Sequence, residues 1–252
     1  MQLEGKIALI TGGGQGIGRG IVDRYLKEGA QLAIVQQRPL EPALEKHPSV
    51  LGILADMSVV SAASEVIGRT SEQFGGIDIV VNNAGIMFER SVSEIRPDEW
   101  DQMMALNLRA PLFLTQAAVP HLRQRGGGTI INIGSIEGLA ANPNHAVYCA
   151  SKAGIHGMTR AMAVDLGEDN IRCNAIAPGW IASELSENYL ASRPDATGAR
   201  EALDRLHPVG RVGRPADVGD LAVFLASDRS GFLTGEIIVL DGGRTARLPL
   251  PF

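Results

Sequence analysis

The sequence predicts an α/β fold, a single doubly wound domain with a mostly parallel sheet flanked by helices. Three observations carry that prediction. Short apolar runs alternate with longer stretches of helical spacing along nearly the whole chain, the pattern of βαβ units with right-handed crossovers. The runs are continuously apolar rather than alternating, as in strands buried on both faces of a parallel sheet. The first run ends in a glycine cluster that opens a helical stretch.

Seven runs read as strands: 6–11, 31–35, 50–55, 77–81, 129–133, 171–176 and 236–240. Helical patterns lie between nearly all of them. Residues 17–27 place Ile17, Ile21 and Tyr25 on one face, because residues four apart share a side of a helix. The stretches 98–122 and 147–166 are long. Each is apolar on more than one side, through Leu112 and Leu114 in the first and Ile155 and Met158 in the second. A helix apolar beyond a single stripe is buried on more than one side. Two regions break the rhythm. Residues 142–145 contain Pro143 and read as a loop; 183–207 is long and polar around Arg193-Pro194-Asp195, either a lid over the site or a plain surface excursion. No internal repeat or low-complexity linker divides the chain, so one domain is expected over 1–252.

Composition narrows the function classes. With 45% hydrophobic and 20% charged residues the chain is an ordinary globular protein. It is long enough to fold without disulfide or metal, and no metal is expected. A net charge of −5 comes with no basic stripe. Arg123 and Arg125 run into glycines, and Arg211 and Arg214 stand apart, so nucleic acid is not an expected partner. No apolar run approaches the roughly 20 residues of a membrane span. The first strand begins almost at once, so no leader is expected. Cys149 and Cys173 are too few for a disulfide scaffold. A cytoplasmic location is the expectation.

Thr11-Gly12-Gly13-Gly14-Gln15-Gly16-Ile17-Gly18 joins the first strand to the first helix. Glycine lets the backbone turn with positive φ and approach a ligand closely. A helix N-terminus offers free N–H groups and a positive dipole end to a pyrophosphate. The spacing matches neither G-x-G-x-x-G nor G-x-x-x-x-G-K-[ST]; what stands here is T-G-x-x-x-G-x-G.

Tyr148 and Lys152 are four apart at the head of a helical stretch. A free phenol, with pKa about 10, is a poor base at neutral pH; a neighbouring ammonium favours the phenolate. Tyr148 is thereby expected to act as general acid and base. Ser135 lies 13 residues earlier, just past an apolar run, at a strand end where α/β folds place ligands. Its hydroxyl can hold a substrate oxygen against the tyrosine.

Together these residues resemble the short-chain dehydrogenase/reductases. The resemblance runs from about residue 5 to 243 and rests on the 11–18 loop, Asn82-Asn83-Ala84-Gly85, Asn107, Ser135, Tyr148 with Lys152, Pro178-Gly179 and Asp241-Gly242-Gly243. It implies a Rossmann-like fold and an alcohol–ketone oxidoreductase using a nicotinamide cofactor. In such enzymes the tyrosine exchanges a proton with the substrate oxygen and the serine orients that oxygen. The lysine supports the phenolate and binds the nicotinamide ribose. Asn107 would hold a water linking the lysine to solvent. The implied cofactor contacts are Gly12, Gln15, Gly16, Ile17 and Gly18 at the phosphates, Asp56 and Met57 at the adenine, and Asn83, Ala84 and Gly85 behind the cofactor. Pro178, Gly179, Ile181 and Ser183 would lie against the nicotinamide, with Ser183 in the place of a customary threonine. Gly134 departs from the family, which often has a second serine there.

An NAD-binding fold usually carries an acid about 20 residues past the glycines, bonded to the ribose 2′-OH. Here the second run ends at Gln36-Gln37-Arg38, and no acid follows until Glu41. A 2′-phosphate would meet no carboxylate and can pair with Arg38. The reading favours NADP(H) over NAD(H), although Gln36 can still bond a 2′-OH. For the substrate, Ile86, Met87 and Phe88 offer an apolar wall, and Glu137, Asn142, His145 and Trp180 offer polar contacts. A small alcohol or ketone, such as a sugar or polyol, fits that mixture; reduction of a 3-oxoacyl thioester is the rival. The resemblance also implies a homo-oligomer, a tetramer. The tail 248–252 is apolar, and because chain ends fray unless docked, it is expected to lie across a neighbouring subunit.

Overall fold

In the computed structural model, which describes residues 1–247, the seven apolar runs form strands. These are β1 (Ile7–Thr11), β2 (Gln31–Gln36), β3 (Val50–Leu54), β4 (Ile79–Asn82), β5 (Gly128–Ile133), β6 (Ile171–Pro178) and β7 (Ile237–Leu240). The tail 248–252 lies outside the described residues. Strand ends differ from the sequence reading by one or two residues, for local reasons. β4 starts late because the Asp78 carboxylate accepts the Ile7 N–H at 2.8 Å and pairs with Arg125 at 2.9 Å. β6 runs on to Pro178 because its register with β7 continues from Ala175–Ile237 to Pro178–Leu240.

All seven strands are parallel in one sheet of order β3-β2-β1-β4-β5-β6-β7. Successive side chains of a strand point to opposite faces, so each strand feeds two cores. Ala8 and Ile10 join Leu32, Ile34 and Ile131 beneath α1 (Gly16–Lys27) and α9 (Pro215–Ala226). Leu9, Ala33, Val80 and Ile130 pack on the other face against α3 (Ala62–Phe74), α5 (Ala110–Gln124) and α6 (Ala146–Leu166). Buried Tyr25 and Ile21 lie on the predicted face of α1, with Ile17 half-buried. α1 and α9 touch through glycine: a Cβ on Gly20 would lie 2.3 Å from the Pro215 carbonyl. The remaining helices are α2 (Pro42–Glu45), α4 (Pro97–Met104), α7 (Glu184–Ala191) and α8 (Ala196–Arg205).

The long stretch 98–122 becomes α4, a π-helical segment over Ala105–Arg109, and α5. Pro111 has no N–H, so the Asn107 carbonyl loses its ordinary donor four residues on, and the helix skips register there. Of the residues read as giving the long helices a second apolar side, Leu114 and Ile155 are in the core and Leu112 is exposed. The polar stretch 183–207 folds as α7 and α8, capped by Ser183 and Asp195. No described helix is long and apolar enough to cross a membrane.

The strand order reverses at β1, which has β2 on one side and β4 on the other. A crevice opens at such a switch point beyond the carboxyl ends of the strands. Thr11, Asn82, Ile133 and Pro178 stand at those ends.

Candidate active site

The loop after β1 is built to let something come close to its backbone. Gly12 and Gly16 have φ of 67° and 52°, values that L side chains rarely adopt. A Cβ on Gly18 would lie 2.1 Å from the Gly12 carbonyl, and one on Gly12 would lie 3.0 Å from Asn83 Nδ2. α1 starts at Gly16 with no capping bond from the Gln15 side chain, so its first N–H groups are free for an anion. The β4 loop is tied to this cradle. Thr11 Oγ1 accepts the N–H groups of Asn83 and Ala84, each at 3.0 Å, and Asn83 Nδ2 donates to the Thr11 and Gly12 carbonyls. Backbone packed this tightly around an open helix N-terminus fits a dinucleotide pyrophosphate.

The remaining cofactor positions divide. Gly179 closes β6, where a Cβ would lie 2.7 Å from Asp241 Cβ. Ser183 caps α7 and stands against Gly16, whose Cβ would be 3.4 Å from its own. Ile181 is buried and bridges to Gly213. The Asp56 carboxylate accepts the N–H and hydroxyl of Ser58 and is held below its ordinary range chiefly by that hydroxyl. Met57 is a core side chain, packed against β3 and α3 residues. At the tip of β2 the Gln36 amide donates to the Arg38 carbonyl at 2.8 Å, and its Oε1 fills the space of a Cβ on Gly14. Arg38 is exposed and forms no ion pair among the described residues.

The catalytic candidates converge from three elements. Ser135 follows β5 and is buried; its hydroxyl accepts the Glu137 N–H at 3.1 Å and lies near enough to Tyr148, at the start of α6, to pull the phenol's pKa down. Lys152, one turn further, is 5% exposed and donates through Nζ to the Ile133 carbonyl at 2.8 Å. The ammonium lies 5.6 Å from the centroid of the Tyr148 ring. Asn107, in the π-helical segment, grips the Ile86 backbone with both ends of its amide at 2.8 Å and donates to Ser151 Oγ at 3.2 Å. That grip explains Gly85, whose Cβ would stand 3.1 Å from Asn107 Oδ1 and 3.8 Å from Lys152 Nζ.

The electrostatics differ from the sequence expectation. Burial pushes the Tyr148 phenol up to about 12, outweighing the Ser135 hydrogen bond that pulls it down. Burial also pushes the Lys152 ammonium down to about 8. The lysine does not deliver a depressed phenol pKa here, because desolvation is the larger effect. At neutral pH the pair holds a protonated phenol beside a charged amine.

On the substrate side, His145 is buried with Nδ1 2.6 Å from Glu137 Oε2 and Nε2 3.7 Å from Glu89 Oε1. Asn142 donates to the other Glu137 oxygen at 3.0 Å. The His145 ring meets Tyr148 edge-on at 6.2 Å between centroids. Tyr189 of α7 donates to Glu89 at 3.2 Å and packs on Trp180 at 5.9 Å. Glu137 and His145 thus stand beside Tyr148, whereas Trp180 packs on Tyr189 and against Leu190, Leu203 and Val212. Glu89 and Tyr189 were missed; they lie 100 residues apart, with no spacing signal to join them. Ile86 and Phe88 are half-buried and Met87 is exposed.

A glycine-cradled switch point beside a Ser–Tyr–Lys cluster defines an NAD(P)-dependent oxidoreductase acting on CH–OH and C=O groups. A family model described as enoyl-(acyl carrier protein) reductase matches residues 12–245. The 3-oxoacyl-[acyl-carrier-protein] reductase of Thermotoga maritima is 36% identical over 250 residues, covering 96% of this chain and 99% of its own. The 2-dehydro-3-deoxy-D-gluconate 5-dehydrogenase of Dickeya dadantii is 37% identical over 250 residues, covering 97% of each. Among solved structures, the ligand-free aldohexose dehydrogenase of Thermoplasma acidophilum superposes with a TM-score of 0.92 at 27% identity, covering 99% of this chain and 98% of its own. The chain belongs to the short-chain dehydrogenase/reductase family.

The lysine titration is directly testable. With Lys152 falling from 10.5 to about 8, the native chain binds fewer protons than the unfolded chain between those values, so that burial cost is relieved as pH rises. At about 1.4 kcal/mol per unit, wild type should gain roughly 3 kcal/mol on Lys152→Met between pH 8 and 10.5. Urea unfolding of both proteins across this range checks it; a constant difference would mean an ordinary lysine.

Proposed function

We propose that the protein interconverts a secondary alcohol and a ketone on a small, hydroxylated molecule of the sugar or polyol class, with NADP(H) preferred. The observation that carries the reaction is the Ser135–Tyr148–Lys152 cluster at the carboxyl end of the sheet, its serine and lysine buried and its tyrosine half-buried. A bound nicotinamide supplies or takes up the hydride at the substrate carbon. The protein's residues handle the proton. Tyr148, protonated at neutral pH, gives its proton to the carbonyl oxygen in reduction and takes it back in oxidation. Ser135 holds that oxygen in line with the phenol. Lys152 supports the phenolate that reduction leaves behind, and the Ile133 carbonyl fixes its place. Oxidation needs the phenolate at the outset, so alkaline pH favours it.

The substrate class rests on Glu137, His145 and Asn142, a hydrogen-bonded group beside Tyr148 suited to hydroxyls. Two of the named relatives act on sugars or their derivatives by name. The rival, 3-oxoacyl thioester reduction, has the Thermotoga relative in its favour. Against it, Glu89 and Glu137 put two carboxylates around His145, a poor setting for an anionic acyl carrier. α7 and α8 act as a lid, docked by Tyr189 on Glu89.

The NADP(H) preference rests on the tip of β2. Gln36 occupies the position of the usual acid, Arg38 is exposed, and Glu41 is already paired with Arg19. The homotetramer reading rests on the family resemblance, and exposed apolar side chains that a neighbouring subunit could cover support it. Trp100, Leu112 and Val164 are exposed on α4, α5 and α6, while Phe232 and Val239 are exposed before and in the edge strand β7.

Three measurements test these readings. Tyr148→Phe should bind cofactor but lose turnover by the 10²–10⁴-fold typical of general acid–base catalysis; retention of more than about a tenth of the rate would refute the assignment. Gln36→Asp should move the kcat/KM ratio toward NAD(H), since a carboxylate accepts the ribose 2′-OH bond and repels a 2′-phosphate. An unchanged ratio would remove Gln36 from the ribose. Sedimentation at micromolar concentration should show an assembly, and a 26.7 kDa species alone would overturn the tetramer.

A further inference from the structure

One turn beyond Lys152 on the same helix, α6 carries a second buried polar side chain. His156 is 3% exposed. Among the described residues neither of its ring nitrogens has a hydrogen-bond partner of good geometry, although the Gly138 backbone is close enough to act on the ring, and such a setting is costly for a buried polar group. Burial, with Arg160 and Lys152 next in weight, holds its pKa below the ordinary value, so at neutral pH the ring is uncharged. A residue that costs free energy at rest calls for a reason where it stands.

The reason lies in what the ring touches. A Cβ on Gly134 would fall 2.4 Å from His156 Nε2, and a Cβ on Gly138 would fall 2.4 Å from His156 Cε1. Those two glycines bracket Ser135. Gly134 is anchored on its far side by its N–H, which donates to the Ile176 carbonyl at 2.7 Å, and the Gly138 N–H donates to the Ser135 carbonyl at 3.0 Å. Just before Gly134, Ile133 supplies the carbonyl that holds Lys152. The imidazole is wedged between the end of β5 and the short turn Ile136–Gly138, under the segment that carries the Ser135 hydroxyl. Gly134, where the family often has a second serine, is glycine because the ring occupies the room a side chain would take.

We infer that His156 is a positioning residue: its ring sets the backbone of Gly134 to Gly138 and so aims Ser135 at the substrate oxygen, with Gly134 and His156 forming one interlocked pair. The inference rests on Ser135 having the role proposed above. It does not require the imidazole to exchange a proton.

A mutant cycle separates the possibilities, since coupled residues depart from additivity. His156→Ala should lower kcat by on the order of 10- to 100-fold, the scale of a slight misplacement of a catalytic group, and leave the cofactor Kd, read by fluorescence, within about twofold. In a Ser135→Ala background the same change should cost nothing further, because the group being aimed is gone. Gly134→Ser should damage wild type, where its Cβ meets the ring, yet recover kcat when added to His156→Ala. Additive losses with Ser135→Ala, or a Gly134→Ser variant as active as wild type, would overturn the inference. A fully active Ser135→Ala would instead overturn the proposed role of the serine, so the two failures are distinguishable.

Discussion

The hydrogen bond from Lys152 Nζ to the Ile133 carbonyl is the contact on which the active end of the molecule depends. An ammonium taken out of water costs several kcal/mol, and 5% exposure leaves Lys152 little solvent. Its one direct acceptor among the described residues is the last carbonyl of β5. The bond therefore fixes α6 to the central sheet at the point where the serine segment begins. Asn107 acts from the other side, binding Ile86 and, through Ser151, the same turn of α6 that carries Tyr148. Four elements, β4, β5, α6 and the π-helical segment, are thereby held to one another within a few ångströms.

The distribution of polar groups shows what kind of site this is. Deep in the sheet, Asn82 donates to Asn132, Asn132 to Thr159 and Thr159 to the Ile155 carbonyl, a buried network that favours one arrangement of strands. Toward the substrate the polar groups become less settled: Glu137 is shared by His145 and Asn142, and Glu89 by Tyr189 and a distant His145 nitrogen. Groups with bonding capacity left over are those that can exchange a partner for a ligand.

The strands, the glycine loop and the Tyr–Lys pair could be read from residues alone because each has a local cause. Strands covered on both faces are apolar throughout, a close backbone approach demands glycine, and positions four apart in a helix meet. The helices of the 183–207 stretch were legible too, through Ser183 and Asp195 as capping residues, but the polar composition was read only as a break in the rhythm, a lid or a surface excursion. The phenol's acidity was misjudged because a charge effect was weighed without desolvation, which depends on packing from elements far apart in sequence. Glu89, Tyr189 and His156 gave no signal for the same reason. Pro111 did offer a clue to the break in the long helix, and it became meaningful only once Asn107 was seen to sit one turn before it.

The sheet order carries a consequence for how the chain is made. Among the described strands there is no hairpin; every pairing spans a crossover, and β1 meets β4 across the whole of β2 and β3. Such topologies fold slowly, because long loops must close before contacts repay them. During synthesis, β6 emerges some 60 residues before β7, its only partner on that side. Until then its outer edge, with Ala175, Ile176 and Ala177 all destined for full burial, stands open to any other extended chain. In that interval the nascent protein is exposed to aggregation along this edge, and quick docking of β7 protects it.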